Sequence, residues 1–112
     1  MNLDSLNPPP IQSEPFRRSR ERFIPEVAGC YVLCTFEKII LYIGLAKNLR
    51  RRINQHLDSP AKTGVTTNGR AVLVYWLETV ELNKIERTWL NIHLINDGRM
   101  PVLNSIYSPT ST

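Results

Sequence analysis

The spacing of apolar residues along this chain switches between a period of two, a period of three to four, and no period at all. Residues 29–36 (GCYVLCTF) and 39–44 (IILYIG) are rich in β-formers and are separated by the polar pair Glu37-Lys38. That is the pattern of two short strands joined as a hairpin, although the pair lacks the Asn-Gly or Asp-Gly chemistry that tight hairpin turns prefer. Alternation places Tyr31, Leu33 and Thr35 on one face of the first strand, and Ile40, Tyr42 and Gly44 on one face of the second. The period then lengthens. Leu49, Ile53 and Leu57 recur at i, i+4 and i+8, the buried stripe of a helix that Asn48 caps and Pro60 ends. Residues 59–69, with Pro60, Gly64, Thr66, Thr67, Asn68 and Gly69, read as a loop. Residues 71–77 (AVLVYWL) form a continuous apolar run, which predicts a central strand. Over 82–96 the helical period returns in Ile85, Trp89, Ile92 and Ile95, and Gly98 suits the left-handed C-terminal position.

These elements predict an α+β fold: a small three-stranded antiparallel sheet in β-β-α-β-α order, flanked by helices and spanning residues 25–105. Residues 1–24 contain Pro8-Pro9-Pro10, Pro15 and four arginines with few apolar residues, and read as a flexible tail. Phe16 and Phe23 are candidates to pin its second half onto the domain. Residues 106–112 read as a second short tail. With 112 residues, 42% of them hydrophobic, there is room for one modest core. No apolar run approaches the roughly 20 residues of a membrane span, and the N-terminus lacks a signal-peptide pattern, so the expectation is a soluble, cytoplasmic protein without a membrane partner.

Cys30 and Cys34 fall four residues apart on one strand, about 13 Å at ~3.3 Å per residue, too far for a disulfide. They read as small core residues, and no second ligand pair accompanies them to suggest zinc. The formal charge of +4 permits nucleic-acid binding without demanding it. Its distribution says more: Arg17, Arg18, Arg20 and Arg22 form one cluster, and Lys47, Arg50, Arg51 and Arg52 another. On charge alone each cluster reads equally well as a solvated face or a phosphate-contacting patch.

One constellation is specific. Gly29-Cys30-Tyr31 and Tyr42-Ile43-Gly44 resemble the two signature tripeptides of the GIY-YIG nuclease family, with Cys30 standing where isoleucine is usual. The run from Leu45 to Arg52 resembles that family's helix start, which ends in its arginine eight residues after the second signature glycine. Ile85-Glu86-Arg87-Thr88-Trp89-Leu90 is similar to the helix carrying the family's metal-binding glutamate, and Pro101-Val102-Leu103-Asn104 to its closing segment. The resemblance implies a catalytic set of Tyr31, Tyr42, Arg52, His56, Glu86 and Asn104. It implies that Glu86 holds one divalent cation, Mg²⁺ with Mn²⁺ as a substitute, and that Lys47, Arg50, Arg51 and Gly44 meet nucleic acid.

The expectation is therefore a metal-dependent endonuclease acting on DNA. Tyr31 would be general base with His56 relaying its proton, Arg52 and the metal favouring the phenolate. Tyr42 would orient water or phosphate, and Asn104 would support the site. The alternative is a non-catalytic nucleic-acid-binding module on the same scaffold. An adaptor working through the proline-rich start is a third reading, and substrate selectivity would come from the loop at 59–69, the N-terminal arginines, a homo-oligomer or a partner protein. Two residues carry competing structural uses. Glu86 sits three positions after Asn83, the spacing of a capping box. His93 matches nothing in the family pattern and reads as an ordinary helix residue.

Overall fold

A computed structural model gives the fold of residues 1–104; the tail expected at 106–112 lies outside the described residues. The strands are β1 (Gln12–Pro15), β2 (Gly29–Cys34), β3 (Ile40–Ala46) and β4 (Leu73–Glu78), and the helices are α1 (Leu49–Leu57), α2 (Pro60–Thr63) and α3 (Leu82–Asp97). All pairings are antiparallel and the sheet order is β1-β4-β2-β3. The sheet thus has four strands, not the three expected. The added strand comes from the segment read as a tail.

That segment is folded onto the domain. Pro15 sits on edge strand β1, where a missing N–H is tolerated. Leu3 and Leu6 are buried on one face of the sheet, Phe16 and Ile24 on the other. Trp89 Nε1 donates to the Pro8 carbonyl at 2.8 Å, and Trp76 Nε1 donates to Gln12 Oε1 at 2.7 Å. Arg18, in a short 3-10 turn over Arg18–Phe23, acts as a fastener too: it bonds Asn54 of α1 and Asp58 just after it.

Every residue of β2 is buried, as befits a strand paired on both sides and covered on both faces. One layer, built on Tyr31, Leu33, Leu41 and Val74, packs against Leu49 and Ile53 of α1. The other, built on Cys30, Val32, Cys34 and Ile43, packs against Ile85 and Trp89 of α3. Cys30 and Cys34 are buried free thiols, as the sequence predicts.

The hairpin departs from simple alternation. Leu33 pairs with Tyr42 but Cys34 pairs with Ile40, so Leu41 is an extra residue in β3. Leu41 and Tyr42 consequently serve the same layer, and Ile40 joins the opposite one instead of sharing a face with Tyr42. The turn is also longer than two residues. Lys38 N donates to Thr35 O at 2.9 Å, and Lys38 takes a φ of 68°, the left-handed position that glycine or asparagine more often fills.

Both main helices start and stop as expected. Asn48 Oδ1 accepts from Arg51 N at 3.0 Å. Gly98 closes α3 at φ 74°. Pro60, which ends α1, also begins α2 within the expected loop, because its fixed φ suits a first helical position. In α3 the buried stripe is Ile85, Trp89 and His93, while Ile95 is 82% exposed. His93 Nδ1 lies 2.7 Å from the Arg99 carbonyl, which gives the imidazole a partner inside the fold.

Candidate active site

Tyr31 stands at the centre of the sheet, its backbone held by β3 on one side and β4 on the other. Its ring is fully buried and its hydroxyl meets His56 Nε2 at 2.5 Å. Across the hairpin, Gly44 lies opposite Tyr31 and Tyr42 lies opposite Leu33. The two phenol rings come within 6.0 Å, and the His56 ring packs 5.5 Å from Tyr31 and 5.3 Å from Tyr42. Gly44 makes this convergence sterically feasible. A Cβ there would lie 2.7 Å from the Tyr31 hydroxyl oxygen and 2.8 Å from a Tyr42 ring carbon. Its role is to leave room for the phenols, and it is buried beneath them.

Helix α1 delivers Arg52 and His56 to the same place, one turn apart. Arg52 reaches Gln55 Oε1 at 3.0 Å with one terminal nitrogen, while its buried Nε has no hydrogen-bond partner among the described residues. Lys62 of α2 sits with its Nζ 4.8 Å from the centre of the Tyr42 ring. No ion pair involves Arg52 or Lys62 among the described residues, so the cluster carries two cations and no balancing carboxylate.

Burial dominates the electrostatics. It pushes the Tyr31 pKa well above its usual value; neighbouring Tyr42 adds to this and Arg52 opposes it. The expected pull of the arginine toward phenolate is present, but desolvation outweighs it. His56 is pushed the other way, down to about 3, first by burial and then by Arg52 and Lys62. Near pH 7 a neutral phenol therefore shares a hydrogen bond with a neutral imidazole.

Asn104 is bound to the strand that carries Tyr42 and Gly44. Its Oδ1 accepts from Ile43 N and its Nδ2 donates to Ile43 O, both at 2.8 Å. The side-chain amide thus caps an exposed stretch of edge strand as a neighbouring strand would, and Leu103 N adds a bond to Leu41 O. Among the described residues Asn104 makes no hydrogen bond to either phenol.

Glu86 is placed differently. It lies on α3, on the sheet face of Cys30, whose thiol is raised to about 12 by burial and then by the Glu86 charge. Among the described residues it makes no hydrogen bond to the tyrosines, His56 or Arg52. It makes no capping box either, because α3 begins after Glu81 and Asn83 already lies inside the helix. Among the described residues its half-buried carboxyl has no hydrogen-bond or ion-pair partner, and burial raises its pKa.

The expected nucleic-acid contacts divide. Lys47 and Arg51 are exposed and, with Asn48, Arg52 and Gln55, line a cleft of about 210 Å³ beside the cluster. Arg50 is committed elsewhere. It donates to Ile24 O at 2.8 Å and Arg22 O at 3.0 Å and lies 3.5 Å from Glu26, which ties α1 to the N-terminal segment. Lys62 was not foreseen, because its segment reads as loop; the sole signal was Pro60, a competent helix start.

A family profile described as the GIY-YIG catalytic domain matches residues 27–93. The chain belongs to the GIY-YIG family. The match spans both tyrosines, Arg52, His56 and Glu86, and stops short of Asn104. Membership in the GIY-YIG family supports nuclease-type chemistry with DNA as the polymer acted on. No curated protein matches the chain. Among the described residues no helix is long and apolar enough to cross a membrane.

Proposed function

We propose that this GIY-YIG domain is a metal-dependent endonuclease that hydrolyses DNA phosphodiester bonds at the Tyr31–His56–Arg52 cluster. The observation carrying this reading is the buried, unpartnered Arg52 Nε beside a phenol already hydrogen-bonded to an imidazole. A guanidinium held short of partners binds an oxyanion well, and a phosphodiester presents two non-bridging oxygens. Arrival of that anion would offset the Arg52 and Lys62 charges that help keep His56 unprotonated. His56 Nε2 would then take the Tyr31 proton, and the resulting phenolate would take a proton from the attacking water. Hydroxide bonds to phosphorus as the bond to the 3′ oxygen breaks, and that oxygen is protonated from solvent. Tyr42, half-exposed at the rim, would orient water or phosphate.

Glu86 suits one hard divalent ion. Among the described residues its half-buried carboxyl makes no hydrogen bond or ion pair, so a hard cation would meet no competing partner there. A Mg²⁺ held there by one carboxylate, keeping most of its waters, would supply Lewis-acid chemistry, from the Cys30 face of the sheet and not from the Tyr31–His56–Arg52 layer. The test is a panel of single-stranded, duplex, nicked, flapped and branched DNA incubated with Mg²⁺, Mn²⁺ or chelator. Metal-dependent cleavage of at least one substrate is expected, lost in Glu86→Ala while binding persists. Binding without cleavage of any substrate would instead make the domain a non-catalytic module.

A further inference from the structure

Lys62 is the one charged side chain in the cluster that neither family signature nor helix α1 supplies. Its Nζ faces the Tyr42 ring, which itself packs 6.0 Å from Tyr31 and 5.3 Å from His56. It neighbours Arg52 closely enough that the two cations influence each other. Its pKa is lowered, first by burial and second by Arg52. No carboxylate pairs with either residue among the described residues, and Arg52 keeps a buried Nε without an acceptor. Lys62 stands over the Tyr42 ring and Arg52 keeps a buried donor without an acceptor; among the described residues these two neighbouring cations lack one thing, an anion.

We infer that Lys62 and Arg52 form a two-sided anion seat over Tyr42, with Lys62 as a phosphate-binding residue supplied by α2. The occupant is a phosphodiester group of the nucleic-acid backbone; that choice of occupant rests on the nuclease reading above. Helix α1 sets Arg52 rigidly, whereas α2 is a single turn begun by Pro60, its Lys62 N and Thr63 N both donating to Ser59 O at 3.0 Å. The second cation therefore sits on an element whose placement depends on the α1–α2 connection. The attraction of a cation to an aromatic face helps hold Lys62 in place between occupancies. A lysine kept only for that attraction would contribute to stability and not to anion binding.

The test uses the full chain and a short DNA duplex in chelator, so that binding is measured without cleavage, across a series of NaCl concentrations. Inorganic phosphate is the competitor. Lys62→Ala is expected to weaken duplex binding about tenfold, the scale of one lost charged hydrogen bond. It should also reduce the slope of log affinity against log salt by about one unit. Lys62→Arg should restore most of both, and phosphate should compete with wild type but poorly with Lys62→Ala. An unchanged slope and affinity in Lys62→Ala would overturn the inference, as would a loss of thermal stability alone. Cleavage measured separately with Mg²⁺ keeps the two readings apart. Lys62-dependent binding in a protein that cuts no DNA upholds the seat and removes the nuclease. Cleavage with a Lys62→Ala salt slope equal to wild type does the reverse.

Discussion

The neutral, buried His56 makes a quantitative demand on stability. Its pKa lies at about 3 in the folded chain against an ordinary value of 6.5. As pH falls, the unfolded chain therefore binds the proton first. The stability owed to the neutral ring is complete above about pH 6.5 and is lost progressively as pH drops toward 3. One such proton costs about 1.4 kcal/mol per pH unit, so roughly 2 kcal/mol should disappear between pH 6.5 and 5. The ring is 4% exposed, so solvent screening takes little from that figure. His56→Gln supplies the comparison: glutamine can still accept the Tyr31 O–H but cannot titrate. Urea unfolding of both proteins at pH 7, 6 and 5 isolates the residue, because His93 and Glu86 are common to both and cancel. The wild type should lose about 2 kcal/mol more than the variant, about 1 M in urea midpoint. Equal losses in the two proteins would refute the claim that the folded state holds His56 neutral.

Three further outcomes follow from single contacts. Asn104→Ala removes both bonds to Ile43 and should cost about 2 kcal/mol in denaturant unfolding, with cleavage falling because Tyr42 and Gly44 flank that residue. Gly44→Ala drives a methyl into both phenols and should abolish cleavage while destabilising by about 1–3 kcal/mol, read by thermal melting. Arg50→Ala should lower stability by about 1–3 kcal/mol and leave the salt slope of DNA binding unchanged, whereas Arg51→Ala should lower that slope by about one unit with little effect on stability.

The residues that shape the hairpin and α1 were legible because local rules govern them. Asn48 caps because only the next turn's N–H groups matter to it, and Gly98 closes α3 for a similarly local reason. The paired tyrosines could be placed by alternation from Tyr31 and by counting back from Gly44. What could not be read depended on distant partners. Ile40 changed layers because Leu41 bulges out of register against Leu33, and nothing in the local pattern announces that insertion. The first 24 residues hide their fold in isolated apolar positions, Leu3, Leu6, Phe16 and Ile24, too sparse to set a period yet each matched to a hollow in the domain. Arg50 and Arg51 are neighbours of identical type; only the carbonyls of Arg22 and Ile24, brought close by folding, decide which one is a fastener. Lys62 belongs to the same class, since its worth lies in standing beside Arg52.

The central claim, that Tyr31 moves a proton in phosphodiester hydrolysis, is tested most directly by the single-turnover rate of Mg²⁺-supported DNA cleavage in Tyr31→Phe against wild type. Removing one hydroxyl keeps the buried ring, so near-UV circular dichroism should remain native. The rate should fall by about 10²- to 10⁴-fold, the contribution of a positioned acid–base group. A folded Tyr31→Phe protein cutting at the wild-type rate would contradict the account.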